Sequence, residues 1–490
     1  MKVKTSSSLT EIIGKQRVIN KSEILDRYSH DDSFALSMRP RLVVQPRNAD
    51  DVQQVVTWAN QTKTPLVPVS SGEPRFRGDT VPSVPEAVIV DLSRMDKIVR
   101  IDRRNRMVIV EPGVTYPQLQ SALAEQGLRL STPLLPRQSK SVIASLLERE
   151  PRLVPKYSYT LPEPLRCLEL VWGNGEIMRT GEAGGYYPTL EQQWEMGLAQ
   201  VFSGGPGQVD YYRLVSGAQG SMGIVTWASV KCELLPKVHK FFFIPADDLT
   251  RLIECAYQLL RVRLGDEFLV LDSTNLASIL SMDADEIQAV KDKLPPWAII
   301  MGIAGRGLFP EEKVDFQEKD TRDIVQQLGL ELLPAVSGIT GEQIMSALLN
   351  PSPEPYWKLT YKGACQDIFF MSTLDKVPGF VDTVLAAANA LGYPASDIGL
   401  YLQPQHQGTS CHCEFNLPYD SGDKIETDCV KELLETGSEA LIRQGAYFSR
   451  PYGIWADMVY NRDARNREMI RTIKGIFDPN NILNPGKLCY

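Results

Sequence analysis

Thr64-Pro-Leu-Val-Pro-Val-Ser-Ser-Gly-Glu-Pro-Arg-Phe-Arg-Gly-Asp-Thr80 is the stretch from which the fold can be read. It follows Asp50 to Asn60, where Val52, Val55, Val56 and Ala59 recur at helical spacing on one face. Lys63 and Thr64 end that helix, and Pro65 to Val69 reads as a short buried strand. The strand empties into a loop containing Ser70, Ser71, Gly72 and Gly78. Small residues at the end of a strand let backbone N–H groups and hydroxyls converge on one oxyanion, the arrangement that cradles a phosphate. The same residues also suit an ordinary surface loop, so the reading needs support from elsewhere in the chain.

Upstream, residues 1–40 read as a helical lead-in with a short helix at Ser22 to Tyr28. Arg41 to Gln45 is a strand, and Asn48 or Asp50 caps the first helix. Downstream, Ala87 to Leu92 is a strand. Lys97 to Asp102 and Met107 to Glu111 pair as a hairpin, and Tyr116 to Gln126 is a helix closed by Gly127. A Pro-rich loop, Ser131 to Pro136, leads to a short helix at Ser141 to Leu147. Leu165 to Trp172, the turn Gly173-Asn-Gly175 and Glu176 to Arg179 form a second strand pair. No Gly-x-Gly-x-x-Gly follows the first strand, so the nicotinamide-type fingerprint is missing.

A second small-residue cluster, Ser216-Gly-Ala-Gln-Gly-Ser-Met-Gly-Ile-Val-Thr226, follows a loop-rich region that extends to Asp210. Its glycines 217, 220 and 223 run straight into a β-branched strand. Glycine suits places where backbone presses against a ligand, and equally a tight turn into a strand. Beyond Pro236 the character changes. Strands at Phe241 to Ile244, Ala298 to Ile303, Ile368 to Met371, Ile398 to Gln403 and Cys411 to Leu417 alternate with amphipathic helices such as Asp248 to Val262 and Val377 to Leu391. That order implies a second α+β unit, a sheet covered by helices. A helix around Asp463 to Ile476 precedes Phe477-Asp-Pro-Asn-Asn-Ile-Leu-Asn-Pro-Gly-Lys-Leu488, a rigid, turned tail.

The 490 residues are too many for one core, and 43% hydrophobic with 23% charged residues is ordinary for a soluble globular protein. A net charge of −8 argues against nucleic acid or an anionic membrane as the main partner. No run of 18 apolar residues occurs, and the start lacks an apolar signal core, so a cytoplasmic protein without a membrane span is expected. The eight cysteines are scattered. Only Cys411 and Cys413 lie close together, on one strand face with His412 on the other, and a zinc site there needs further ligands that the sequence does not offer.

Taken in order, several motifs resemble the flavoproteins related to vanillyl-alcohol oxidase and the flavoprotein subunit of p-cresol methylhydroxylase. They are Arg41-Leu-Val-Val-Gln-Pro, Pro68-Val-Ser-Ser-Gly, Val110-Glu-Pro-Gly-Val, Glu169-Leu-Val-Trp-Gly-Asn-Gly-Glu, Gly220-Ser-Met-Gly-Ile-Val-Thr and the tail from Phe477. The resemblance covers nearly the whole chain and implies an α+β fold. Residues 1–238 would form a two-subdomain FAD-binding domain of the p-cresol methylhydroxylase type, 239–440 an α+β substrate cap, and 441–490 a segment returning to the FAD domain. FAD is the implied cofactor. Ser70, Ser71, Gly72, Glu73, Pro74, Arg75 and Gly78 would approach its pyrophosphate, with Ser139, Ser141, Ser145, Gly220, Gly223, Ile224, Val225 and Asn484 along the rest.

Three departures stand out against relatives. Glu73 puts an acid in the phosphate loop, which Arg75 or Arg77 would have to neutralise. Leu146 to Arg152 lacks the usual glycine near Glu150, and Ser158 or Tyr159 stands where an acidic residue is expected. The cap metal motif of the flavin-dependent D-2-hydroxyacid dehydrogenases, His-x-Gly-Asp-Gly-Asn-x-His, is absent.

The resemblance also points to catalytic candidates. Arg450 matches an arginine that sits by the flavin and the substrate anion, where it would orient a phenolate or carboxylate and stabilise charge arriving on the flavin. Tyr452 and Tyr447 could donate hydrogen bonds. His412 has three open roles: a covalent FAD attachment point, a base, or a strand residue bonded to its neighbours. Glu414 shares its face and could orient the imidazole; Gln403 and Gln405 are further polar candidates. The expected reaction is hydride abstraction from an aromatic or phenolic alcohol or an alkylphenol, with electrons passing to an electron-transfer or iron–sulfur protein or to dioxygen. The alternatives are a 2-hydroxyacid dehydrogenase of lactate or glycolate type and a flavin-free structural subunit. A homo-oligomer is expected.

Overall fold

Val52, Val55, Val56 and Ala59 are fully buried on the helix Ala49–Thr62, which Asn48 caps by accepting from the Asp51 N–H and which ends at Lys63 in a left-handed conformation. Their partners explain the burial. The helix packs on Leu66, Val88 and Val90 of one sheet and on Val171 and Ile224 of another, so it lies between the two. The computed structural model describes residues 8–156, 163–184, 189–205, 210–281 and 283–490.

The first sheet runs Val18–Ile19, Leu42–Val44, Val88–Asp91, Leu66–Val69, and its last three strands are parallel. Such a sheet has both faces covered, and all four residues of Val88–Asp91 are buried. The second sheet is antiparallel, ordered Ile98–Asp102, Met107–Val110, Gly223–Lys231, Leu165–Trp172, Ile177–Arg179. Ser70 to Thr80 leaves the C-terminal end of the parallel strand Leu66–Val69, where parallel sheets present their ligand crevices.

The third sheet is antiparallel with six strands, ordered Val238–Ala246, Trp297–Gly305, Phe268–Asp272, Gly399–Gln405, Ser410–Tyr419, Ala364–Ser372. Its side chains obey the period of two. Phe242, Cys411, Cys413 and Phe415 face a core shared with the helices Leu249–Arg261, Val377–Leu391 and Lys424–Arg443. Phe241, Phe243 and Tyr401 face the other way, towards Leu134, Leu135 and Leu153. Two cysteine thiols that the sequence offered as a metal corner thus point into an apolar core.

The tail is tied down as expected. Asn484 N–H donates to Leu66 O at 2.8 Å, Leu66 N–H donates to Ile482 O at 2.7 Å, and Phe477 packs on Trp172 with ring centroids 4.3 Å apart. Before that tail, Ala446, Phe448, Tyr452 and Trp455 pack into the core beneath the third sheet.

Several elements differ from the sequence reading. The central strand Phe268–Asp272 and the helices Ser273–Leu280, Gly341–Leu349 and Ile454–Tyr460 were not anticipated. The supposedly loop-rich stretch before Asp210 contains Leu190–Glu195, a helix with a Thr189 capping box. Among the described residues, no helix is long and apolar enough to cross a membrane.

Candidate active site

Two clefts meet on the side of the third sheet that carries Tyr401 and Glu414. The larger is lined by Ser70, Ser71, Arg75, Gly220, Gly223, Ile224, Val225 and Tyr452 among others. The smaller is walled by Tyr356, Trp357, Tyr401, Lys358 and Arg450. Arg77, Arg137 and Lys140 line both, so the two clefts share one wall.

Of the fifteen residues that the resemblance assigned to the cofactor, seven line the larger cleft: Ser70, Ser71, Arg75, Gly220, Gly223, Ile224 and Val225. The rest stand behind it. Gly72 N–H donates to Ser139 O at 3.0 Å, and a Cβ on Gly72 would meet Ser139 Cβ at 2.9 Å, so these two loops are pressed together. Ser141 Oγ donates to Pro112 O at 2.5 Å while capping the helix Val142–Leu147, and Ser145 Oγ donates to Glu150 at 2.5 Å. Both hydroxyls are spent within the protein. Gly78 N–H donates to Asp31 Oδ2 at 2.6 Å. Asn484 Nδ2 donates to Asp79 O at 2.8 Å and Gln219 O at 2.7 Å, clamping both small-residue loops to the tail.

Glu73 is turned outward. Arg27 Nη2 lies 2.8 Å from one of its carboxylate oxygens and Arg75 Nη2 lies 3.5 Å from the other, and neighbouring Pro74 does not line the cleft. Neutralisation therefore comes from Arg27 and Arg75; Arg77 pairs instead with Asp367 at 3.2 Å. Sequence reasoning overlooked other acids. Asp79 and Glu148 both line the larger cleft; burial and the nearby Glu148 push the Asp79 carboxyl up to about 6. The expected Ser158 and Tyr159 positions lie outside the described residues.

In the smaller chamber, charge is mostly paired. Lys140 lies 2.6 Å from Glu148 and 3.4 Å from Glu150, and Lys358 lies 2.8 Å from Asp367 and 2.5 Å from Glu414. Burial alone would raise the Glu150 carboxyl, but Lys140, the Ser145 hydroxyl, Arg152 and Arg77 together hold it down at about 2.

A relay then runs along the strand Ser410–Tyr419. Lys358 donates to Glu414 Oε1, Glu414 Oε2 lies 3.1 Å from His412 Nε2, and Arg450 Nη2 lies 3.2 Å from His412 Nδ1. A guanidinium can only donate, so Nδ1 accepts and the proton sits on Nε2, facing Glu414. Burial and Arg450 push the imidazole down to about 4, against the opposing pull of Glu414. His412 is thus neutral at pH 7 with both ring nitrogens engaged by neighbouring side chains. Arg450 is 5% exposed and stacks on Phe369 with its guanidinium carbon 4.2 Å from the ring centroid. Burial and Arg77 lower its pKa.

Tyr452 is buried and lines the larger cleft, whereas Tyr447 is 64% exposed and lines neither. Gln403 is consumed by Phe268 O at 2.8 Å and by the Tyr401 hydroxyl at 3.0 Å, and Gln405 lies outside both clefts. Arg137, Lys140 and Lys358 were not singled out in the sequence, and Arg77 only as a possible partner for Glu73; packing of distant segments brings them to one site.

Comparison with known proteins agrees with this arrangement. Residues 40–181 match the FAD binding domain family, and residues 373–488 match the C-terminal domain of FAD linked oxidases. The chain belongs to the FAD-linked oxidases. It is 24% identical over 489 residues to the flavoprotein subunit of 4-cresol dehydrogenase [hydroxylating] from Pseudomonas putida, covering 91% of this chain and 87% of that one. It is 23% identical over 513 residues to a D-lactate dehydrogenase of Anaerostipes hadrus, covering 98% and 96%. Its fold matches the crystal structure of p-cresol methylhydroxylase with substrate bound, at TM-score 0.84 and 20% identity over 98% and 95% of the two chains.

This FAD-linked oxidoreductase therefore uses FAD, which sets aside the flavin-free structural subunit. The larger cleft fits such a group in its lining: the Ser70 and Ser71 hydroxyls, the small residues Gly217, Gly220 and Gly223, and the cations Arg75, Arg77, Arg137 and Lys140 border it, as a dinucleotide phosphate requires. Gly220, at φ +70°, is glycine because its backbone packs against Pro68, which a Cβ would meet at 2.5 Å.

Proposed function

We propose that this enzyme takes a hydride from a C–H carbon of a small, ring-bearing substrate held as an anion: an aromatic or phenolic alcohol, or an alkylphenol bound as its phenolate. The observation that carries this reading is the shared wall. A flavin in the larger cleft and a substrate in the chamber would meet across Arg77, Arg137 and Lys140. FAD, when bound, supplies the hydride acceptor, and the protein supplies position and charge.

Ser70, Ser71 and the backbone at Gly220 and Gly223 are the groups proposed to hold the cofactor. Tyr356, Trp357 and Tyr401 offer flat walls to a ring. Arg450 is fixed between the His412 Nδ1 and the Phe369 ring, which leaves its other donors for the substrate anion. A donor already oriented does not need to reorganise as charge develops. Tyr452 is a hydrogen-bond donor on the cofactor side. Because both nitrogens of His412 are engaged, FAD held without a covalent bond to it is the expected state. Electrons would pass to a protein acceptor or to dioxygen.

A second reading has its own support. Arg137 and Arg450 have no carboxylate partner within 4.0 Å among the described residues, and guanidinium forks match a carboxylate well. That suits a 2-hydroxyacid. Anaerobic mixing separates the two. Bleaching of the flavin by p-cresol or vanillyl alcohol, and not by lactate or glycolate, supports the phenolic reading; the reverse pattern overturns it in favour of the hydroxyacid.

A further inference from the structure

Arg137 is 8% exposed and lies on the loop between Arg129 and the helix Val142–Leu147. Prolines 133 and 136 stiffen that loop, and Ser352 pins it, donating its N–H to Pro136 O at 2.8 Å while accepting from Gln138 Nε2 at 2.9 Å. The guanidinium is placed firmly, yet among the described residues it has no ion pair and its Nη1 has no hydrogen-bond partner. The Phe76 ring lies beside it, with the guanidinium carbon 5.2 Å from the centroid. Burial and the adjacent Arg77 lower its pKa.

A buried, unpaired charge is costly, and folding gives no reason to keep one. The acids around it are already committed: Glu148 and Glu150 to Lys140, Asp367 and Glu414 to Lys358. What is missing beside Arg137 is an anion from outside.

We infer that Arg137 is a substrate-anchoring and specificity-determining residue, and that the anion it takes is a carboxylate on an aromatic ring. A phenolate offers one oxygen, whereas a planar carboxylate offers two, matching the fork of a guanidinium. Trp357, Tyr356 and Tyr401 in the same chamber provide the ring surface. The inference rests on the proposed chamber for substrate and deepens it, moving the preferred substrate from a plain phenol to an aromatic acid.

The test titrates benzoate and phenol, by calorimetry near pH 7, into the full-length protein as purified and into Arg137→Gln and Arg137→Lys, with flavin content read from the absorption spectrum. Wild type should bind benzoate more tightly than phenol. Arg137→Gln should weaken benzoate by about tenfold or more, the loss expected for a charge-assisted fork, and Arg137→Lys by less. Flavin content should be unchanged, and the melting temperature of the glutamine variant unchanged or raised, because an uncompensated charge has been removed.

The inference is overturned if wild type ignores benzoate, if phenol binds equally well, or if benzoate affinity survives in Arg137→Gln. It is also overturned if that variant sheds its flavin, which would make Arg137 a cofactor residue, or fails to fold, which would make it structural. A colourless protein that nevertheless binds benzoate through Arg137 would sink the redox reading and leave this inference standing.

Discussion

Two buried polar knots in this molecule are built by opposite rules. In the tail, Lys474 Nζ donates to Ser221 O at 2.5 Å, Asp478 Oδ2 at 2.8 Å and Leu483 O at 3.1 Å, so all three of its donors are used. Asp478 in turn accepts from the Ile482 and Leu483 N–H groups at 3.0 and 2.8 Å. In the chamber, Arg450 gives one bond to His412 and Arg137 gives none that the structure records. The closed knot fastens the tail across the first two sheets. The open one keeps charge unsatisfied where a ligand must supply the partner. A polar network that is complete holds a fold, and one left incomplete marks a site.

The largest effect should come from breaking the closed knot. Asp478→Ala leaves Lys474 charged in the interior with two carbonyls but no counter-charge, which costs about 3–5 kcal/mol. Urea unfolding of holoenzyme should show a loss of that order, and an unchanged midpoint would mean that the network is not holding the tail. Breaking the open knot should instead spare stability and cost chemistry. Arg450→Gln should keep its melting temperature while slowing anaerobic flavin reduction by roughly 10²–10³-fold, the usual loss for one preorganised donor. Unfolding of that variant, with no separate kinetic defect, would erase the contrast.

The smallest effect concerns acid. The His412 imidazole sits near 4 in the fold against an ordinary 6.5, so below pH 6.5 the unfolded chain takes up a proton that the fold refuses. This group therefore costs stability as pH falls from 6.5 towards 4, by up to about 1.4 kcal/mol per pH unit. Between pH 7 and 5, His412→Asn should lose less stability than wild type does. Equal losses would mean that His412 titrates normally and is not locked between Glu414 and Arg450.

The closed knot was far more legible in the sequence than the open one. Val52, Val55, Val56 and Ala59, the strand before Ser70, and the Asn-Pro tail are local patterns, and local propensity and burial agree there. Glycines 220 and 223 could be seen to press against something, and in the fold that is Pro68 for the first and the strand Leu165–Trp172 for the second. The chamber escaped because its parts come from four separated stretches: Arg77, Arg137 with Lys140, Lys358, and Arg450. Only Arg450 was marked by the resemblance, and spacing along the chain says nothing about which charges will lack partners once packed. Ser141 and Ser145 show the converse, residues whose hydroxyls sequence alone leaves free and packing engages. They stand in the right loop, but helix capping and a short bond to Glu150 consume their hydroxyls. The strand Phe268–Asp272 was missed because all five of its residues are buried, which removes the alternation by which a strand is recognised.

The most direct test of the central claim, that the cleft behind Ser70 and Gly220 holds FAD without a covalent bond, is an absorption spectrum of the purified protein before and after acid precipitation. The account predicts flavin bands in the native protein that move into the supernatant on precipitation. A protein that is colourless and gains no bands when FAD is added, or one whose colour stays in the pellet, would contradict it.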